Sequence, residues 1–396
     1  MITGAVLLAP SPLVMTDLLD RTDTAAPPAL DKETDRAPVG RLASLDALRG
    51  LTILGMIVVN TQGDGDHAFW GTQHARWNGW TPADLVFPSF LFIVGTSMAY
   101  AFARYTEEGR RPAALYGRIA RRTLLLFLLG LVVSGLGRVP LADLHVMGVL
   151  QRIALCYLLA SLAVLHLRPR TQLAVCAAIL VGYWLTLTRV PVPGHGAGVL
   201  TPHGNLTGYI DRRVLGRSHL YADGPYDPEG LLSTLPATVT VVIGYWAGRF
   251  LRRAPVSSAT SRRLAWSGVG FVVAGELSQL LLPINKRIWT SSFVLLAAGF
   301  SLLLLAAAFE LVDVRGRGRL GWPFAVFGLN AIVVYMASEL ASGWLTSSGW
   351  RTTIWHHGFA PWLGPEVGSL AYALAFAGLW WLVLLVMYRR RMFIRL

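Results

Sequence analysis

The sequence predicts an all-α protein: a polytopic membrane helix bundle of about ten transmembrane helices with both termini cytoplasmic. Three observations carry this prediction. Apolar runs of about 17–25 residues, the length that crosses roughly 30 Å of hydrocarbon, recur along the 396-residue chain. Only 14% of residues are charged and 54% are hydrophobic, with a mean hydropathy of +0.50, whereas a soluble domain is about one quarter charged. The basic residues punctuate the apolar runs and favour one side of them, as orientation signals do. The runs are continuous rather than alternating, which favours helices over a closed barrel.

The elements follow in order. Residues 1–40 are polar and proline-rich. No basic segment precedes their short apolar stretch at 6–8, so they read as a disordered cytoplasmic tail rather than a cleaved signal. The remainder, 41–396, reads as one transmembrane domain. Its spans are expected at 45–61, 84–103, 119–136, 146–165, 171–189, 231–250, 264–282, 290–312, 322–342 and 367–388. Between them, Arg118, Arg121 and Arg122, then Arg249, Arg252 and Arg253, then Arg315, Arg317 and Arg319, and lastly Arg389, Arg390 and Arg391 fall on the side of the N-terminus. The opposite side holds scattered cations such as Arg76, Arg138 and Lys286. This places the loops at 62–83, 190–230, 283–289 and 343–366 outside.

The net charge of +13 is explained by these orientation signals, so no nucleic-acid partner is expected. Cys156 and Cys176 both lie inside apolar runs. Neither supports a disulfide framework or a metal site, and no metal is expected.

Chemistry concentrates where polar residues meet the spans. Asp46, Arg49 and Asn60 share one face of the first span at 100° per residue, a seam of about 21 Å along the helix. Such a stripe faces a bundle interior or a wet cavity, although Asp46 and Arg49 also suit a simple i, i+3 pair. His74 follows in a polar loop, where neutral imidazole serves as a base or a nucleophile; His67 is its rival. Thr81-Pro82-Ala83-Asp84 reads as N-cap, N1, N2 and N3, so Asp84 starts a helix, and orienting a catalytic histidine is open to it as a second role. Asp227-Pro228-Glu229-Gly230 repeats the capping logic before the sixth span. Lys286 and Arg287 occupy a tight polar turn, suited to an anion or to solvation. Gln151 and Arg152 open the fourth span, and an intramembrane arginine needs a partner, with Asp46, Glu276, Glu310 and Glu339 as the available acids. The GxGxxG pattern at 316–321 follows no expected strand, so the dinucleotide context is missing.

Six motifs occur in order: RLASLDALRGLTILGMIVVN, HARWNGWTPADLVFPSFLFIVGTSM, GVLQRIALCYLLA, YDPEGLLSTLP, PINKRIWTSSFVLLAAG and FGLNAIVVYMASE. Together they resemble the heparan-alpha-glucosaminide N-acetyltransferase family, its bacterial members above all, over residues 41–390. The resemblance implies a multi-pass enzyme of the bacterial cytoplasmic (inner) membrane. It implies acetyl transfer from cytoplasmic acetyl-CoA, as co-substrate, to an amino sugar or glycan on the far side, and a homodimeric assembly. It aligns His74, Asn60, Asp84 and Asp46 with catalytic positions. Gln151, Arg152 and Asn330 match further recurring polar positions and, with Arg49, are assigned to the donor. Direct transfer and an acetyl-histidine route both remain open. Two other readings stand beside this one: a transporter of sugars or cell-wall fragments, and an O-acyltransferase of surface glycans.

Overall fold

The computed structural model describes residues 42–109 and 111–394; the expected tail at 1–40 lies outside the described residues. The chain runs through α1 (Ala43–Asn60), α2 (Pro82–Ala101), α3 (Ala103–Glu107), α4 (Ala113–Val133), α5 (Val149–His166), α6 (Pro169–Arg189) and α7 (Leu206–Val214). It continues through α8 (Thr234–Arg253), α9 (Ser258–Ser278), α10 (Ser291–Ala308), α11 (Gly318–Leu329) and α12 (Ala331–Ser347). The short α13 (Trp350–Ile354) and α14 (Ala360–Leu363) precede α15 (Pro365–Arg389). Two-residue strands β1 (Pro191–Val192) and β2 (Gly196–Ala197) pair antiparallel in the loop after α6.

Helices cover the positions where spans were expected, but the span expected at 322–342 falls on two helices, α11 and α12, bent by 69° at Asn330. Among the described residues, however, six helices are long and apolar enough to cross a membrane, or seven if the bent pair α11 and α12 is one span. The shortfall from ten has a physical source. α4, α8 and α9 carry Arg118, Arg121 and Arg122, Arg249, Arg252 and Arg253, and Arg262 and Arg263 within their helical length, which shortens their uninterrupted apolar stretch.

The bundle is held by close helix contacts at small residues. α2 lies against α8, where a Cβ on Gly95 would stand 1.8 Å from Val241 O and one on Gly244 2.0 Å from Phe92 O. α1 lies against α11 in the same way, with a Cβ on Gly50 falling 1.6 Å from Phe324 O. Small residues at such crossings let backbones approach where lipid gives no hydrophobic drive to associate. The core between these pairs includes Ile53, Ile57, Leu91, Phe92, Ala154, Val241, Phe293 and Leu305.

Two local features position the ends of the bundle. The first amides of α1 are capped from afar: Asp313, in a π-helical turn continuing α10, accepts Ala43 N–H at 3.1 Å and Ser44 N–H at 3.4 Å. A carboxylate is well placed at the positive end of a helix. At the other end, the segment expected as a long loop at 190–230 is a folded cap. Asn205 starts α7 by accepting Gly208 N–H at 2.7 Å, and Leu206 and Val192 join Tyr183, Leu187, Leu282 and Ile288 in a second apolar cluster.

Candidate active site

Asp84 organises the site. Thr81 is the N-cap of α2, Pro82 its first residue, and Asp84 Oδ2 accepts Thr81 N–H at 3.0 Å, closing the capping box read in the sequence. The same oxygen accepts Ala75 N–H at 3.0 Å and Thr81 Oγ1–H at 3.2 Å. The other oxygen, Oδ1, lies 2.8 Å from His74 Nδ1 and 3.5 Å from Lys286 Nζ. This carboxyl is 1% exposed and ringed by donors, a setting that favours the ionised form. A carboxylate only accepts, so Nδ1 of His74 carries the proton and Nε2 keeps its lone pair.

Lys286 reaches the same imidazole, with Nζ 3.1 Å from Nδ1 and 3.3 Å from Nε2. The turn that delivers it is stitched to the His74 loop. Asn285, fully buried, donates from Nδ2 to Asn78 Oδ1 at 3.0 Å and accepts Ile288 N–H at 3.1 Å, while Gly79 N–H donates to Ile284 O at 2.8 Å. Trp289 closes the turn at φ 50°, a left-handed backbone that non-glycine residues rarely adopt. It is 1% exposed and packed edge-on against Phe87 and Phe293, and such burial holds a strained backbone in place.

The electrostatics follow from burial and neighbours. Burial lowers the His74 pKa below the usual histidine range; the Asp84 hydrogen bond opposes this and the Lys286 charge adds to it. Burial also pushes Lys286 down to about 8, against the attraction of Asp84 and Glu229. Near neutral pH the pair is therefore a neutral imidazole beside an ammonium. Burial raises Glu229, which senses the charges of Arg152, Asp227 and Lys286.

Arg152 is fully buried next to this cluster. None of the four acids named from the sequence is its partner. Its Nη2 donates to Gly230 O at 3.1 Å and to Ser233 Oγ, its guanidinium lies 4.9 Å from the centroid of the Trp289 ring, and its Nε and Nη1 have no hydrogen-bond partner. A carbonyl, a hydroxyl and an indole face take the role expected of a carboxylate. Asp227 also departs from expectation. It does not cap α8, whose N-cap is Ser233. Its Oδ1 instead accepts Glu229 N–H at 2.9 Å in a local turn, and its Oδ2 lies 2.8 Å from His145 Nε2.

The other sequence candidates are held by partners of their own. Arg49 pairs with Asp46 at 3.0 Å and donates to Ser97 Oγ at 2.6 Å, at the end of α1 opposite Asn60. Asn60 donates to Glu339 Oε1 at 2.7 Å. Gln151 packs into the space left by Gly130, where a Cβ would stand 2.2 Å from its Oε1, and its amide nitrogen has no partner. Asn330 sits at the 69° break between α11 and α12, donating to Met392 O at 3.1 Å and accepting Ile394 N–H at 2.9 Å. His67 lies 2.7 Å from Asp64 Oδ2 and stacks on Trp355. The sequence presents Lys286 only as a turn cation. Its signal was the density of polar residues in PINKR, and nothing along the chain could place it on His74.

These features define a multi-pass helical membrane protein with a buried carboxylate–imidazole–lysine cluster at one end of the bundle. The chain belongs to the heparan-alpha-glucosaminide N-acetyltransferase family: the family model for the catalytic region of that enzyme matches residues 41–275. It is similar to the heparan-alpha-glucosaminide N-acetyltransferase of Homo sapiens, 32% identical over 356 residues, which cover 76% of this chain and 53% of the human protein. It is likewise similar to that of Mus musculus, 29% identical over a 442-residue alignment that covers 96% of this chain and 65% of the mouse protein. The chain thus spans about half to two thirds of the length of these curated relatives.

Proposed function

We propose that this chain is an acetyl-CoA-dependent N-acetyltransferase that moves acetyl from the cytoplasm to an amino sugar or glycan across a bacterial inner membrane. The observation that carries the reading is His74 Nδ1 at 2.8 Å from the buried Asp84, with Lys286 Nζ against the same ring. Acyl transfer from a thioester to an amine needs a base for the amine proton and positive charge for the developing oxyanion. His74 Nε2 is the base. The Lys286 ammonium stabilises the oxyanion together with Asn60. Asp84 fixes the imidazole tautomer. In the transfer the amine nitrogen bonds the acetyl carbon, the carbon–sulfur bond breaks, and the proton taken by His74 passes to the leaving thiolate.

Acetyl-CoA fits the donor set on the chain: the Asp46–Arg49 pair lies at the opposite end of α1 from Asn60, and Gln151 and Arg152 keep buried nitrogens without partners. Arg49, Gln151, Arg152 and Asn330 would hold the donor, which supplies the activated acetyl group. In this reading the bundle has ten spans and both termini are cytoplasmic, as the arginine clusters indicate. Residues 41–396 then form the acyltransferase domain and 1–40 a cytoplasmic tail.

The test reconstitutes the protein in vesicles with labelled acetyl-CoA on the side of the chain termini and glucosamine on the other. Labelled N-acetylglucosamine on the far side, lost in His74→Ala, supports the reading. Passage of unmodified glucosamine without acetyl-CoA overturns it in favour of transport. Label found only on hydroxyl acceptors assigns O-acyl transfer.

A further inference from the structure

A second cluster of uncompensated charge lies far from His74. α2 starts at the site and ends at Ala101, about 28 Å away along its axis. There a cavity of about 310 Å³ opens between the end of α2, α3, α4 and α5. Phe102 and Ile119 make an apolar floor, and Arg118, Arg121 and Arg122 make a cationic rim. The three arginines stand at i, i+3 and i+4 on α4 and so share a face.

None of the three makes an ion pair with a described carboxylate. The acids nearest in sequence are engaged elsewhere, Glu107 with Arg252 and Arg253, and Glu108 with Arg104. Arg118 donates to Tyr105 Oη and Arg122 lies 4.7 Å from the centroid of the Tyr157 ring, so both guanidinium groups are held in place while their charge is unmatched. Nε of Arg122 is buried without a hydrogen-bond partner.

The chemistry of the rim suits a phosphoryl group. The surroundings identify its source. Arg121 continues at i+3, i+7 and i+11 into Leu124, Leu128 and Val132, all three exposed on the outer face of α4. A stripe of exposed aliphatic side chains ending in cations at the rim of a membrane bundle matches acyl chains ending in an anionic headgroup. We propose that this cavity binds the phosphodiester headgroup of an anionic phospholipid in the leaflet opposite His74. The three arginines hold the phosphate, and one acyl chain lies along Leu124, Leu128 and Val132.

The full-length protein, reconstituted in vesicles of equal parts phosphatidylcholine and phosphatidylglycerol and recovered in mild detergent, is assayed for retained lipid by mass spectrometry. Wild type should enrich phosphatidylglycerol over phosphatidylcholine roughly tenfold or more. The triple variant Arg118→Gln, Arg121→Gln, Arg122→Gln should lose the enrichment. Arg121→Gln alone, at an exposed side chain that does not threaten folding, should reduce it about fivefold. Enrichment that is absent in wild type, or unchanged in Arg121→Gln and in a folded triple variant, overturns the proposal. Displacement of the lipid from wild type by excess coenzyme A also overturns it, because the cavity would then take the nucleotide. Lipid retention is read without acetyl transfer, so this result stands apart from the proposed enzyme activity.

Discussion

Asp84 serves His74 with one oxygen and its own helix with the other: Oδ1 lies 2.8 Å from His74 Nδ1 while Oδ2 accepts Thr81 N–H at 3.0 Å. The helix cap and the contact to His74, the second role that the sequence leaves open, fall to a single carboxylate. The two roles separate experimentally. Thr81→Ala removes the hydroxyl contacts to Gln73 O and to Asp84. It should cost about 0.5–2 kcal/mol of stability, as lost caps do, and leave acetyl transfer within roughly tenfold of wild type. Asp84→Asn keeps the shape but removes the charge and the tautomer lock, and should lower the rate by about 10²–10⁴-fold. Thermal unfolding and initial rates measured side by side check this. Near-normal transfer by a folded Asp84→Asn protein would remove the orienting role.

His74 and His67 each contact an aspartate, but only His74 also meets a lysine. His74→Ala should abolish transfer to within the background of empty vesicles. His67→Ala should leave the rate within about threefold of wild type, as expected for a half-exposed pair of little energetic weight. Equal losses in the two variants would mean that the base had been misassigned.

The pH profile should be bell-shaped. His74 must be unprotonated to act as a base, so transfer rises with pH through its pKa, which burial first of all places below the usual histidine range. Lys286 must keep its proton to stabilise the oxyanion, so transfer falls again near pH 8, where its pKa is placed by burial. Lys286→Met removes a positive charge that lowers the His74 pKa. Its acid limb should therefore move to higher pH, its alkaline limb near 8 should vanish, and its maximal rate should drop. Measuring kcat/KM against pH in both proteins checks the sign. An acid limb that stays in place would show that Lys286 does not act on the imidazole.

Gly95 and Gly244 set the distance between α2 and α8, and with it the position of the helix whose first turn holds Asp84. A Cβ at Gly95 would meet Val241 O at 1.8 Å, a backbone atom that cannot turn aside. Gly95→Val should destabilise the bundle by at least about 1–3 kcal/mol, the usual cost of overpacking. Gly117→Ala, with open space around its Cβ position, should be neutral. Melting temperatures in one detergent distinguish the two, and equal melting would show that the helix pair separates readily.

Much of this protein was settled by the sequence alone, because the signals are local. Apolar length marks helical segments wherever it occurs, although it does not show the break at Asn330 inside the span expected at 322–342. The Thr81–Asp84 capping box depends on four consecutive residues, and the i, i+3 pair of Asp46 and Arg49 on one helical turn, so both were readable. The six ordered motifs identified the family. The tertiary structure decided everything that joins distant segments. Arg152 hydrogen-bonds Gly230 and Ser233, faces Trp289 and acts through charge on Glu229, none of the acids expected, because the partner of a buried charge is whatever the fold brings within reach. Asp313 caps α1 across most of the chain. Lys286 reaches His74 only because Asn285 and Asn78 hydrogen-bond between two loops more than two hundred residues apart. The 74–84 segment encodes the imidazole, the carboxylate and the helix start. The cation that adds to the effect of burial on the imidazole comes from another turn, and electrostatic coupling depends on distance in space, which the order of residues does not specify.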